Sequence, residues 1–276
     1  MLDLLAALAQ FALYAGVLCA VGGVLAEATL RPPPASELAL AWLVRIGATL
    51  TIVATFAGAL VLLFRLGSNF DEPTISAILM SSVGAAGGLR VTGAVLLLLS
   101  RAVAQDTFVR GMRLSYAGLI AASFLFSGHS AAEAMALGLI ACAHISLAAW
   151  WVGALIAMER ACTNAAVEDT AQLVRRFSRW AVIAISALVI AGIIIIVALI
   201  ERPISFTPYL QVLAVKIAIA ALVFALAIYN KFRLTPRLLS HDAQAAHALR
   251  RAIQIELVLI GGVLATTAVL TTYQSP

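Results

Sequence analysis

Two of the chain's four histidines fall in one apolar stretch, Ser123–Met158, which reads SFLFSGHSAAEAMALGLIACAHISLAAWWVGALIAM. It holds His129, Glu133, Met135, Cys142, His144 and Met158. Ionisable groups inside an apolar run are costly in a bilayer and mark ion paths or binding sites. Imidazole suits copper in general, and thiol or thioether sulfur suits Cu(I). Read at helical spacing, Glu133, Leu137, Ile140, His144, Leu147, Trp151 and Met158 share one face. A neutral histidine there can bind a metal through one ring nitrogen while the other donates to a neighbouring group. The same residue can also serve as a hydrogen-bonded link between helices.

The candidate metal ligands are His129 and His144 in the first rank, with Glu133, Met135, Cys142 and Met158 in the second. Glu133 follows His129 by four residues, and an imidazole with a carboxylate at that separation can capture a cation. Cys142 stands two residues before His144, so it points to another side of the helix, as a small core residue would. Met135 and Met158 are equally explained as packing. Fifteen residues of unbroken helix rise about 22 Å. His129 and His144 therefore read as two stations on one route, an outer mouth and a deeper site, rather than as ligands of a single ion.

The elements that must carry these residues are membrane helices. Hydrophobic residues make up 63% of the 276 and charged residues 11%, far from the proportions of a water-soluble domain. Apolar runs of 18 or more residues recur along the chain, and no ten-residue alternation suggests a barrel. The expected fold is an all-α polytopic bundle of eight transmembrane helices, near 4–28, 38–64, 84–103, 112–128, 133–157, 180–200, 208–230 and 252–272. Pro32-Pro33-Pro34, Asp71-Glu72-Pro73, Glu201-Arg202-Pro203 and Pro236 break the runs. The whole chain, 1–276, reads as a single integral membrane domain. The first run opens with Asp3 instead of a basic segment and extends to about Ala28, so it reads as a retained helix.

Basic residues set the orientation. The connections after the first, third, fifth and seventh spans hold thirteen: Arg31; Arg101, Arg110 and Arg113; Arg160, Arg175, Arg176 and Arg179; Lys231, Arg233, Arg237, Arg250 and Arg251. Those after the second, fourth and sixth hold Arg65 and Arg202. The positive-inside rule puts the first set in the cytoplasm, so both termini and the turn with His129 face outward. The net charge of +5 follows from the same rule, and no nucleic-acid partner is expected. Cys19, Cys142 and Cys162 have no paired spacing, so no disulfide framework is expected.

A two-fold internal repeat, with halves 1–115 and 123–276, is a further expectation. Arg45 precedes Ala57-Gly58 as Arg179 precedes Ala191-Gly192, and Tyr14-Ala-Gly16 parallels Trp151-Val-Gly153. Four spans per half would give the halves the same orientation, hence a parallel repeat. Other polar groups fall within spans. Arg90 and Lys216 are near enough to the outer ends to snorkel. Asn230 and Glu256 read as helix-end hydrogen-bonding groups or as flanks of an inner exit, and Trp150 and Trp151 as packing or pocket lining. His241 and His247 lie in a polar segment, HDAQAAH. No nucleotide-binding motif or C-x-x-C is present, so no nucleotide partner and no enzymatic activity are expected.

The runs FSGHSAAE and AHISLAAWWVGAL resemble the GH…H…W-x-G pattern of the CopD (copper resistance protein D) family of bacterial inner-membrane proteins. RRFSRWAVIAISALVIAGI, LQVLAVKIAIAALVFALAIYNKFRLTPRL and LRRAIQIELVLIGGVLATTAVLT agree with it, so the resemblance covers about 123–272. It implies an eight-span protein of the bacterial inner membrane that moves copper, from periplasm to cytoplasm, in copper homeostasis and resistance. It also implies work beside a separate CopC-like periplasmic copper carrier. His129 matches the family's GH histidine and His144 its fifth-span histidine. Lys216, Asn230 and Glu256 match polar positions of the last two spans. The chain is poor in methionine, with Met135 and Met158 clearly in spans, which departs from copper-rich relatives and leaves Cu(I) or Cu(II) open. A different class of function, a membrane haem- or quinone-binding redox protein with an axial histidine, remains as the alternative.

Overall fold

In hydrocarbon, a segment must satisfy its own backbone N–H and C=O groups, so apolar runs of this length can only be helical. The computed structural model of the protein describes residues 1–67, 70–100, 106–126, 135–199, 208–240 and 244–273. Among them there is no strand. The helices are α1 (Leu2–Leu30), α2 (Pro34–Arg65), the short α3 (Glu72–Leu79), α4 (Ser82–Leu99) and α5 (Thr107–Ala122). They continue as α6 (Met135–Asn164), α7 (Val167–Leu199), α8 (Pro208–Tyr229), α9 (Thr235–Leu239) and α10 (Ala245–Tyr273). Their starts follow local chemistry. Pro33 and Pro34 open α2 with Pro34 in its first turn, where a missing N–H costs nothing. Asp71, Ser81 and Asp106 accept from the first-turn N–H groups of α3, α4 and α5.

Among the described residues, seven helices are long and apolar enough to cross a membrane: α1, α2, α4, α6, α7, α8 with its continuation to Leu239, and α10. The span expected at 112–128 falls on α5, whose 16 residues rise about 24 Å, short of the roughly 30 Å of hydrocarbon. A 3₁₀ turn, Ser123–Phe126, adds about 8 Å at its steeper rise. Arg110 and Arg113 lie in the first two turns of α5, which is why this helix is less apolar than the rest. Several helices begin or end beyond the expected bounds. α7 starts at Val167 instead of near 180, so Arg175, Arg176 and Arg179 are helical residues. Pro236 does not end the seventh span: a π-helical stretch, Asn230–Leu234, carries α8 into α9 with Pro236 in the first turn of α9.

The bundle is organised around α1 and α6. α1 packs on α2, α5, α6 and α10, and α6 packs also on α2, α7 and α10. α4 lies against α2 and α5, and α8 lies against α10. The α1–α6 crossing brings backbone against backbone. A Cβ on Gly22 would run into the carbonyl of Ala149, and one on Gly153 into the carbonyl of Gly22. Small residues make such approaches possible in membrane bundles, where packing and not water expulsion holds helices together. α1 ends at Arg31 in the left-handed region (φ 47°). The Arg176 guanidinium closes that end by donating to the carbonyls of Leu30 (3.1 Å) and Arg31 (2.8 Å). Trp42, Phe56, Ile183 and Val258 project outward, as lipid-facing residues do.

Candidate functional site

His144 sits in the tenth position of α6, half-buried, and faces α7. Its Nδ1 is 3.1 Å from the carbonyl oxygen of Leu188. Glycine at position 192, one turn further along α7, makes room for the ring: a Cβ there would stand 3.3 Å from His144 Cε1. A carbonyl can only accept, so Nδ1 carries the hydrogen of this bond. In the neutral ring that leaves the lone pair on Nε2. Lys216 of α8, half-buried itself, is close enough for its charge to act on the imidazole.

The other candidate ligands separate from His144. Cys142 is half-buried and donates through Sγ to the carbonyl of Ala121 on α5 (3.2 Å), on the other side of α6, as its spacing implies. Met135 opens α6 with 82% of its surface exposed. Met158 is buried in an apolar core to which α1, α2, α6, α7, α8 and α10 contribute. His129 and Glu133 lie outside the described residues, as does His241. His247 is exposed at the start of α10. Among the described residues no group of three or more His, Cys, Asp or Glu side chains could hold a metal ion.

The polar residues of the other spans are built into the interior more fully than the sequence suggests. Arg90, read as a snorkelling residue, instead donates from Nε to Ser123 Oγ (2.9 Å) and lies over the Phe124 ring, 5.1 Å from its centroid. Arg113, counted among loop cations, is 3% exposed and donates to both carboxylate oxygens of Glu27 at 2.8 and 2.7 Å. Glu159 accepts from Arg250 Nε (2.9 Å) and Gln254 Nε2 (3.1 Å), tying α6 to α10. No sequence spacing announces these pairs, because they join residues 33 to 95 positions apart on different helical segments. Trp150 donates to Thr29 Oγ1 (2.9 Å) and stacks on Phe177.

Asn230 and Glu256 do not end helices against solvent. Glu256 is the twelfth residue of α10 and 1% exposed. Asn230 begins the π-helical stretch, is 8% exposed, and donates through Nδ2 to Glu256 Oε2 (3.1 Å). Trp151, seven residues or about two turns beyond His144 on α6, lies beside the same carboxylate and tilts against Phe224 of α8. π-helical turns concentrate at functional sites.

A family model described as Copper resistance protein D, CopD, matches residues 171–270. That segment takes in most of α7, all of α8 and α9, and α10 to near its end. It contains Lys216, Asn230 and Glu256 but begins after His129 and His144. No curated protein and no solved structure gave a match. Over that segment the chain is similar to copper resistance protein D, and the long apolar helices suit a multi-pass membrane protein.

Proposed function

We propose that the protein carries copper across the bacterial inner membrane, from periplasm to cytoplasm, with copper as cargo. On this reading His129 is the outer capture site, assisted by Glu133, and His144 the deeper station. The observation that carries it is the His144–Leu188 hydrogen bond (3.1 Å). A ligating histidine ordinarily donates its second ring N–H to a carbonyl or carboxylate, which fixes the ring and the tautomer. Here the carbonyl engages Nδ1, and Nε2 is left as the donor atom for a metal. Met158 and Cys142 then serve as packing and Met135 as a residue of the α6 entrance. Copper in either oxidation state accepts imidazole nitrogen. Both termini face the periplasm in this arrangement, where a separate CopC-like carrier would deliver the ion.

The test is the copper content of cells producing the wild type, His129→Ala or His144→Ala at matched membrane abundance. The expected result is a fall of about tenfold or more in copper accumulated through the protein for His144→Ala, the scale on which supporting groups of metal sites already act. Unchanged accumulation in both variants overturns the site assignment.

A further inference from the structure

Three side chains meet where α6, α8 and α10 come together: Trp151, Asn230 and Glu256, exposed by 4%, 8% and 1%. One hydrogen bond joins them, Asn230 Nδ2 to Glu256 Oε2 at 3.1 Å. Three polar atoms are left without a hydrogen bond among the described residues: Asn230 Oδ1, Glu256 Oε1 and Trp151 Nε1. Burying such groups unpaired is costly, and more so for a charge. The cluster is thus incomplete in a specific way: two acceptor oxygens and one donor.

We infer that Trp151, Asn230 and Glu256 form a proton-binding site, with Glu256 as the residue that takes up and releases the proton. One proton on Oε1 turns that oxygen from an acceptor into a donor. Carboxylic acid and amide then each offer one donor and one acceptor, the complement required for a two-bond acid–amide pair. When the proton leaves, the carboxylate is acceptor-only. The Asn230 N–H and the Trp151 indole N–H can then each serve one of its oxygens. The O–H bond of the carboxyl breaks, its electron pair stays on Oε1, and the proton passes to water reaching the site. The same three residues thereby satisfy both protonation states by exchanging which group is left over, the indole or the amide oxygen.

A metal cation fits less well. Hard cations require six or more oxygen ligands, and the described residues offer two beside an indole N–H that would point at the ion. The charged groups on the elements packed around α10 are engaged elsewhere or make no bond to this carboxyl. Glu27 of α1 is held by Arg113, and Glu159 of α6 by Arg250 and Gln254. Lys216 of α8 acts on His144. Among the described residues, Lys231, Arg233, Arg237 and Arg251 form no hydrogen bond with Glu256, which accepts from Asn230. The inference does not depend on copper being the cargo.

The experiment is infrared difference spectroscopy of the purified full chain in lipid nanodiscs, stepped across pH without metal. The expected result is a carbonyl-stretch band of a protonated buried carboxyl that disappears as pH rises and is absent from Glu256→Gln. That substitution preserves shape and can pair with the Asn230 amide, so the fold should survive; gel filtration and circular dichroism check it. Trp151→Phe removes the donor that serves only the ionised form, so its band should be stronger than the wild-type band at the same pH. A pH difference spectrum that is the same in wild type and folded Glu256→Gln overturns the proposal. So does a Trp151→Phe band unchanged in size at every pH.

Discussion

At the scale of single residues, His144 and Lys216 are the informative pair. On the proposed reading of His144 as a copper station, a Lys216 ammonium in electrostatic reach makes it a poor trap, because the positive charge opposes the incoming ion. For a permeation route that is useful: an ion must bind well enough to enter and weakly enough to leave. Lys216→Gln is therefore expected to tighten copper binding. The gain should be of order 1 kcal/mol, a few-fold in affinity, the scale of a unit charge at intermediate dielectric. Equilibrium copper binding to purified protein measures it, with Lys216→Arg retaining wild-type affinity. Equal affinity in Lys216→Gln and wild type would show that the charge does not reach the ion. The position of His144 in mid-helix and the divergence of Cys142 from it were legible in spacing alone. The Leu188 carbonyl and Lys216 were not, because 44 and 72 positions of chain separate them from His144 and only helix packing brings them together. The same holds for Glu256. Its place as an isolated carboxyl in an apolar run was visible, while its partner Asn230 is set by the π-helical stretch, which rotates the helix in a way no regular period announces.

At the scale of elements, apolar length predicted where helices run, and capping residues explain several of their starts. What the apolar count could not supply was the distinction between a span and a helix. α7 continues beyond its apolar part because Val167–Arg179 is itself a good helical segment, and α5 falls short because arginines occupy its first turns. The packing order depends on small residues. The α1–α6 crossing requires glycine at 22 and 153, since a Cβ at either position meets a backbone carbonyl of the other helix. Backbone cannot yield as a side-chain tip can, so Gly22→Leu or Gly153→Leu must separate the two central helices. The expected cost is at least the upper end of ordinary overpacking, about 3 kcal/mol or more. It is read as a large fall in thermal midpoint in detergent, or as loss of the monodisperse species. Gly58→Leu is the control: nothing stands within 4 Å of a Cβ at that position, and stability should be nearly unchanged. A Gly22→Leu variant as stable as Gly58→Leu would rule out the close crossing.

For the whole molecule, orientation in the membrane connects the candidate stations to a direction of flow. The helices α6 and α7 meet at 164–167, among Arg160, Arg175, Arg176 and Arg179, and α9 comes up beside them. There an open cavity of about 850 Å³ is lined by Glu168, Asp169, Arg175, Arg176 and Arg179 among others. This concentration of arginine is what the positive-inside rule assigns to the cytoplasm. Beyond Arg65 at the end of α2, by contrast, the start of α3 carries Asp71 and Glu72. If the charge rule holds, His144 lies nearer the periplasm than Trp151 and Glu256, so an ion entering from outside meets the imidazole before the carboxyl. Single cysteines introduced at Asp71 and Asn164, both exposed, test it directly. In a background with the three native cysteines replaced by serine or alanine, a membrane-impermeant maleimide should label Asp71→Cys in intact spheroplasts. It should label Asn164→Cys only after permeabilisation. The reverse pattern would turn the molecule over, make α6 begin in the cytoplasm, and convert an importing order of stations into an exporting one.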